Sequence, residues 1–317
     1  MAGEMDSAKV ETLACNIKAR IDASTRHGQQ QNASPGGTST FPGEFKVIMK
    51  YGLLLFLILL ISSPVSSQTV KGVQIVKAEL VSDASDYSKP FTVGIRFEIQ
   101  PDWYLYWKNP GDSGLPIEVD WVLPAGWTAD ELRHPVPQKM AYENVVSYGY
   151  KKEVVLLTTI TPNGSTSSRI KAKLDWLVCE KSCIRGKAEV SLDVKKQSEA
   201  RRADAVKMMD MWRGLLPLAH SENPVTFQKA VASMQGAGLN IEIPFQAKQD
   251  VHITDFFPSS VKGFLIDYKT VGVKDNKIIF SGTLEGTGTG EIYLSGLLIG
   301  ADGKGYECSV PVKFDTM

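Results

Sequence analysis

The residues with the clearest capacity for chemistry are Cys179 and Cys183, in the run Trp176-Leu177-Val178-Cys179-Glu180-Lys181-Ser182-Cys183-Ile184. Three residues separate them, a spacing that suits a turn between a strand ending at Val178 and another starting near Lys187, and such a turn brings two sulfurs within bonding reach. Lys181 and Arg185 put positive charge beside the pair and favour the thiolate that attacks a disulfide, while Glu180 opposes them. A bridge closing so short a loop removes only on the order of a couple of kcal/mol of unfolded-chain entropy in the loop-closure model. It is a poor staple, and a strained or exposed bridge is readily reduced, which suits a bond meant for exchange. Two other readings stay open from the residues alone: an inert structural bridge in an exported protein, and a pair of thiolates holding a soft cuprous ion.

Little else in the chain competes for a chemical role. Cys308 alternates with Tyr306, Val310, Val312 and Phe314 on one strand face, the position of a buried thiol packed as a small hydrophobe. His134, His220 and His252 are scattered, and no zinc spacing, Gly-rich phosphate loop or nucleophile elbow is present. Asp112 and Asp175 are not an evident acid–base pair. Trp103, Tyr104, Tyr106 and Trp107 could line a site near the cysteines, and a sandwich core accounts for them equally well. Lys+Arg and Asp+Glu both number 35, so no net field draws the chain to nucleic acid. No cofactor and no metal ligand set is expected.

The elements that must carry the pair read as β-strands. Phe91, Val93, Ile95, Phe97 and Ile99 alternate with polar or small residues, which puts five apolar side chains on one face. Ile170 to Val178 alternates likewise, with Ala172, Leu174, Trp176 and Val178 on the core side and Cys179 on the other. Further candidates are Val73 to Leu80, Trp103 to Trp107, Ile117 to Trp121, Val145 to Tyr150, Val154 to Thr161 and Ala188 to Val194, punctuated by Pro-Gly, Asp-Ser-Gly and Pro-Asn-Gly. Between Ser198 and Leu216 the period becomes helical, with Ala200, Ala203, Val206, Met209 or Met211, Trp212 and Leu215 as the apolar stripe, Ser198 as cap and Gly214 with Pro217 as the stop. A second short helix is expected near Phe227 to Met234, and alternation returns after Gly236.

Upstream, Met49-Lys50, the apolar run Tyr51 to Ile61 and the small residues before Gln68 have the order of a secretory signal. The run is too short for a spanning helix, which needs about 20 apolar residues. Residues 1–48 precede it, with a stretch from His27 to Gly43 that runs through Gln29 to Gln31 and then Ser, Gly, Thr and Pro, so a disordered leader or a true start at Met49 is expected, with no role for Cys15. The expected organisation is a leader over 1–48, a signal peptide over 49–67, a β-sandwich over 70–195 with the cysteine pair, a helical linker over 196–236, and a second, smaller β domain over 237–317.

The run Trp103-Tyr104-Leu105-Tyr106-Trp107-Lys108-Asn109-Pro110-Gly111-Asp112-Ser113-Gly114-Leu115-Pro116, then Pro135-Val136-Pro137, Ser147-Tyr148-Gly149-Tyr150 and Asp175-Trp176-Leu177-Val178-Cys179 with Cys183-Ile184, resembles the N-terminal periplasmic domain of the DsbD and ScsB thiol:disulfide interchange proteins. The likeness covers Val73 to Val194. It implies an all-β, immunoglobulin-like antiparallel β-sandwich, and a periplasmic protein-disulfide reductase component. Its cysteine pair would take electrons from a membrane-embedded donor and pass them to thioredoxin-like proteins. By position the family's cap over the cysteines falls on Asn144, Val145, Val146, Ser147, Tyr148 and Gly149. The family also implies that the second cysteine, Cys183, is the attacked one and that Cys179 resolves the mixed disulfide. The chain departs from DsbD in having three residues between the cysteines, as in the ScsB branch, and in Arg185 standing where relatives often carry proline. Nothing after Leu216 resembles a multi-span membrane domain or a thioredoxin domain, so the donor is expected to be a separate protein.

Overall fold

The computed structural model describes residues 67–70, 73–164, 167–235, 238–285 and 291–313. The expected leader, Cys15 and all of the expected signal peptide except Ser67 lie outside the described residues. Among the described residues no helix is long and apolar enough to cross a membrane.

The chain is mostly β. In the first half the strands are β1 (Ser67–Val70), β2 (Val73–Val81), β3 (Phe91–Ile99), β4 (Tyr104–Gly111), β5 (Glu118–Val122), β6 (Thr128–Ala129), β7 (Gln138–Tyr142), β8 (Val145–Lys151), β9 (Glu153–Thr161), β10 (Arg169–Cys179) and β11 (Cys183–Asp193). They form two sheets, one ordered β1-β2-β3-β9-β6 and one ordered β11-β10-β4-β8-β7, with β5 pairing on β10. The alternation in the sequence explains why the sheets pack. Phe91, Val93, Ile95, Phe97 and Ile99 are all buried, and so are Ile170, Ala172, Leu174, Trp176 and Val178 on the other sheet. The two faces meet where the Phe97 and Trp176 rings lie edge to face at 5.7 Å.

One α-helix, α1 (Glu199–Arg213), follows. Ser198 caps it, its side chain accepting from the Arg201 backbone N–H at 3.2 Å, and Gly214 ends it. Its buried positions are Ala205, Met209 and Trp212, whereas Val206 and Met211 of the expected stripe are exposed. Arg213 pairs with Asp83, which follows β2, and ties the end of the helix to the first half of the chain. The second short helix expected near Phe227 to Met234 is instead two strands, β12 (Val225–Phe227) and β13 (Val231–Gln235). Both pair with one long strand, β14 (Gly238–Ala247), and these ladder hydrogen bonds outweigh the local ambiguity of a short apolar run.

The remaining strands are β15 (Ile253–Pro258), β16 (Phe264–Lys274), β17 (Lys277–Leu284), β18 (Glu291–Gly300) and β19 (Gly305–Lys313). They complete a sheet ordered β12-β14-β17-β16 and a three-stranded sheet ordered β15-β18-β19. The connector after α1 touches both halves, since Leu215 O accepts from Val136 N and Leu218 bonds to Gly305 and Glu307 of β19, each at 2.9 Å. Side chains join the halves too. Asn109 donates to Pro258 O and to the Tyr268 hydroxyl at 3.1 Å, the Tyr148 and Phe257 rings lie 4.7 Å apart, and Lys139 pairs with Asp255 at 3.0 Å.

Candidate functional site

The β10–β11 hairpin carries the cysteines at its closed end. Its ladder runs unbroken from Arg169 opposite Asp193 to Cys179 opposite Cys183, and directly opposed residues point to the same face. The register therefore brings the two side chains together, with Cα atoms 4.1 Å apart and a disulfide between them. Glu180 N donates to Ser182 O at 3.2 Å and closes the turn. The two sulfurs sit in unlike surroundings: Cys179 is 1% exposed, while Cys183 lies on the surface.

What buries Cys179 comes from β4. Cys179 is opposite Tyr104 in register, and alternation along β4 sends Leu105 and Trp107 into the core and Tyr104 and Tyr106 to the outer face. The Tyr106 hydroxyl donates to Cys179 Sγ at 3.2 Å and lies 3.8 Å from Cys183 Sγ. The Tyr104 hydroxyl stands 3.4 Å from that of Tyr106, and their rings meet edge to face at 5.2 Å. Burial holds the Tyr106 phenol well above its ordinary pKa, with Tyr104 adding to the effect, so it stays a neutral donor. Of the four aromatics considered from the sequence, two line the sulfurs and Trp107 belongs to the core.

The outer side of Tyr106 is covered by the segment after β4. Gly114 has φ +112°, and a Cβ there would overlap the Tyr106 ring, so only glycine lets the backbone lie flat on it. Upstream, the Asp112 carboxylate accepts from Val146 N at 2.7 Å and Asp112 N donates to Val146 O at 2.9 Å. Leu115, next to the covering glycine, is 52% exposed. Sequence reasoning missed this cover, although the turn cluster Asp112-Ser113-Gly114 marked a tight loop close in sequence to Tyr106.

The other sequence-derived candidates fall as follows. Asn144 and Val145 are exposed at the β7–β8 hairpin tip, and Val146, Ser147, Tyr148 and Gly149 are buried within β8. Gly149 is the register partner of Tyr106, and Val146 anchors Asp112, so β8 flanks the cover from the side. Tyr148 is packed between Trp107 of the core, Phe257 of β15 and Tyr268 of β16. Lys181 is 91% exposed with Glu180 at 3.9 Å. Arg185 makes a two-pronged pair with Asp175, both contacts at 2.8 Å, and this pair holds the Asp175 carboxyl below its usual range. Much of the positive charge of Arg185 is thus directed at a carboxylate on β10.

Cys308 is buried in β19 and donates to Gly296 O at 3.6 Å, and burial pushes its thiol up to about 12. His134 is held down to about 4, first by burial and then by Lys108. Among the described residues no group of three or more His, Cys, Asp or Glu side chains converges on a point where a metal would bind.

Residues 73–195 match the family described as "Thiol:disulfide interchange protein DsbD, N-terminal". Among solved structures, the chain is similar to the N-terminal periplasmic domain of ScsB from Proteus mirabilis, at 17% identity and a TM-score of 0.57, covering 79% of this chain and 98% of that one. At that identity the likeness is one of fold, and its coverage extends beyond residues 73–195. The Yersinia pseudotuberculosis adhesin InvE (10% identity, TM-score 0.19, 76% of this chain and 59% of that one) and the YadV chaperone (12%, 0.21, 75% and 98%) match too weakly to support an argument. No curated protein matches the sequence.

Proposed function

Residues 73–195 belong to the DsbD N-terminal family of thiol:disulfide interchange proteins, and on that premise we propose that this chain relays electron pairs between proteins outside the cytoplasm through Cys179 and Cys183. The observation that carries the reading is the asymmetry of the bridge: one sulfur is open to a foreign thiol, and the other is buried against a hydroxyl donor. In the first half-reaction a thiolate of a reduced donor attacks Cys183 Sγ. The Cys179–Cys183 bond breaks, and its electron pair leaves on Cys179 Sγ, where the Tyr106 hydroxyl is placed to stabilise it. A second donor thiolate then attacks its partner sulfur in the mixed disulfide and frees Cys183. The donor is oxidised and the pair is reduced by two electrons, with two protons taken up as the thiolates protonate. In the second half-reaction the Cys183 thiolate attacks the disulfide of a thioredoxin-like protein, and Cys179 resolves the mixed disulfide.

A membrane-embedded donor, a periplasmic location and an immunoglobulin-like description of the first domain belong to this same proposal. Buried Cys179 and exposed Cys183 also support the order of attack inferred from the family. The test is trapping. A Cys179→Ser protein, reduced and mixed with an oxidised thioredoxin-like protein, is expected to accumulate a mixed disulfide through Cys183, and Cys183→Ser is expected to accumulate none. A reduction potential below about −300 mV for the pair would place it with inert structural bridges and defeat the proposal.

A further inference from the structure

The second β domain has no cysteine pair of its own, yet it reaches the disulfide through a short run of β4 and its following loop. Asn109 is a polar side chain only 4% exposed, and its bonding capacity is taken up largely by the other domain. Its amide nitrogen donates to Pro258 O and to the Tyr268 hydroxyl at 3.1 Å, while its carbonyl oxygen accepts from Tyr268 at 3.2 Å and from Gly111 N at 3.3 Å. Gly111 then turns the chain at φ +88°, where a Cβ would overlap Val146 O, and Asp112 clamps onto Val146. Two residues later Gly114 lies on the ring of Tyr106, whose hydroxyl touches Cys179.

We infer that the second β domain holds the cover over Cys179 in place through Asn109, so that Asn109 and Tyr268 are positioning residues that leave Cys183 as the only sulfur open to attack. The inference rests on the exchange reading for its meaning but not for its test. An amide with both ends bonded across a domain boundary cannot release the second domain without leaving buried donors and acceptors unpaired, so the anchor resists opening. Losing one such bond raises the population of locally opened cover by about fivefold. The second domain is then a built-in restriction on which sulfur reacts.

The full chain carrying Cys183→Ser leaves Cys15, Cys179 and Cys308 as thiols, and iodoacetamide labelling with peptide mass follows Cys179 and Cys308 separately across a pH series that separates access from thiolate fraction. Adding Tyr268→Phe removes one hydroxyl and keeps the ring against Tyr148. Cys179 labelling is expected to quicken about fivefold, and more with Asn109→Ala, while Cys308, sealed in the second domain, stays at its original rate. Lys139→Ala breaks the Lys139–Asp255 pair at the same boundary without touching the cover, and is expected to change neither rate. Unchanged Cys179 labelling in Tyr268→Phe, an equal acceleration from Lys139→Ala, or a parallel rise at Cys308 would each overturn the inference. Because the assay uses no protein partner, a failed trapping experiment with intact labelling differences sinks only the exchange reading, and the converse sinks only the anchor.

Discussion

Replacing Tyr106 by Phe removes a hydroxyl that the structure places within bonding distance of both sulfurs, at 3.2 Å from Cys179 Sγ and 3.8 Å from Cys183 Sγ. That hydroxyl is buried with the sulfur it faces, so water does not take its place when it is lost. In the disulfide it meets a weak acceptor. In the reduced protein it meets a thiol or thiolate, and the thiolate is far the stronger acceptor. Its net contribution to the reduced form is about 1 kcal/mol for a neutral thiol and up to about 3 kcal/mol for a thiolate. For a two-electron couple about 1.4 kcal/mol corresponds to 30 mV, so the Cys179–Cys183 potential in Tyr106→Phe is expected to become more negative by about 20 to 60 mV. The assay is equilibration of the purified protein with graded thiol–disulfide buffers, followed by acid quench, alkylation and mass. Tyr104→Phe is the control: its hydroxyl contacts that of Tyr106 at 3.4 Å, so its removal is expected to give less than half the shift. A Tyr106→Phe potential within about 10 mV of the parent, or a less negative one, would refute the placement of this hydroxyl as the donor to the leaving sulfur.

Two further changes probe the frame around the pair. Gly114→Ala forces a side chain onto the Tyr106 ring at a backbone angle that alanine rarely adopts, so urea unfolding is expected to show a loss of about 1 to 3 kcal/mol, with faster alkylation of reduced Cys179; an unchanged midpoint would place the loop off the ring. His134 is held at about 4 against an ordinary 6.5, so as pH falls below about 6.5 the unfolded chain binds a proton that the folded one does not, and stability drops until about pH 4 by on the order of 3 kcal/mol. His134→Gln is expected to flatten that acid limb, and an unaltered pH profile would show that the imidazole is not buried as described.

How much of this was legible beforehand depended on the range of the interaction. Phe91 to Ile99 and Ile170 to Val178 announced their buried faces because a strand's two-residue period is a local property, and Ser198 announced a helix start because a cap is satisfied within three residues. The cysteine turn was local too. The stripe on α1 was legible in part: Met209 and Trp212 are buried as the period suggests, whereas Val206 is exposed and Ala205 is buried, a detail that the packing of the helix against the rest of the chain decides. Val231 to Met234 carried too short a pattern to separate helix from strand, and pairing with β14 decided it. Tyr106 was a candidate among four aromatics, and only the adjacency of β4 to β10 singles it out. Asn109 and Tyr268 stand 159 positions apart, and nothing in either local sequence announces their meeting.

The unlike surroundings of the two sulfurs follow from where the hairpin lies in its sheet. Cross-strand partners share a face, so register alone would give Cys179 and Cys183 the same exposure. The neighbours differ, however: β10 is an interior strand with β4 beside it at the cysteine end, and β11 ends the hydrogen-bonded order. Cys179 therefore receives Tyr104 and Tyr106 from the next strand, while among the described residues no further strand is hydrogen-bonded to β11 on the outer side of Cys183. Exchanging the two roles would require moving the aromatics to the other side of the hairpin, which no single substitution does. Sheet order thus accounts for the unlike exposure of the two sulfurs, and point changes on β4 or in its cover act on how tightly Cys179 is held.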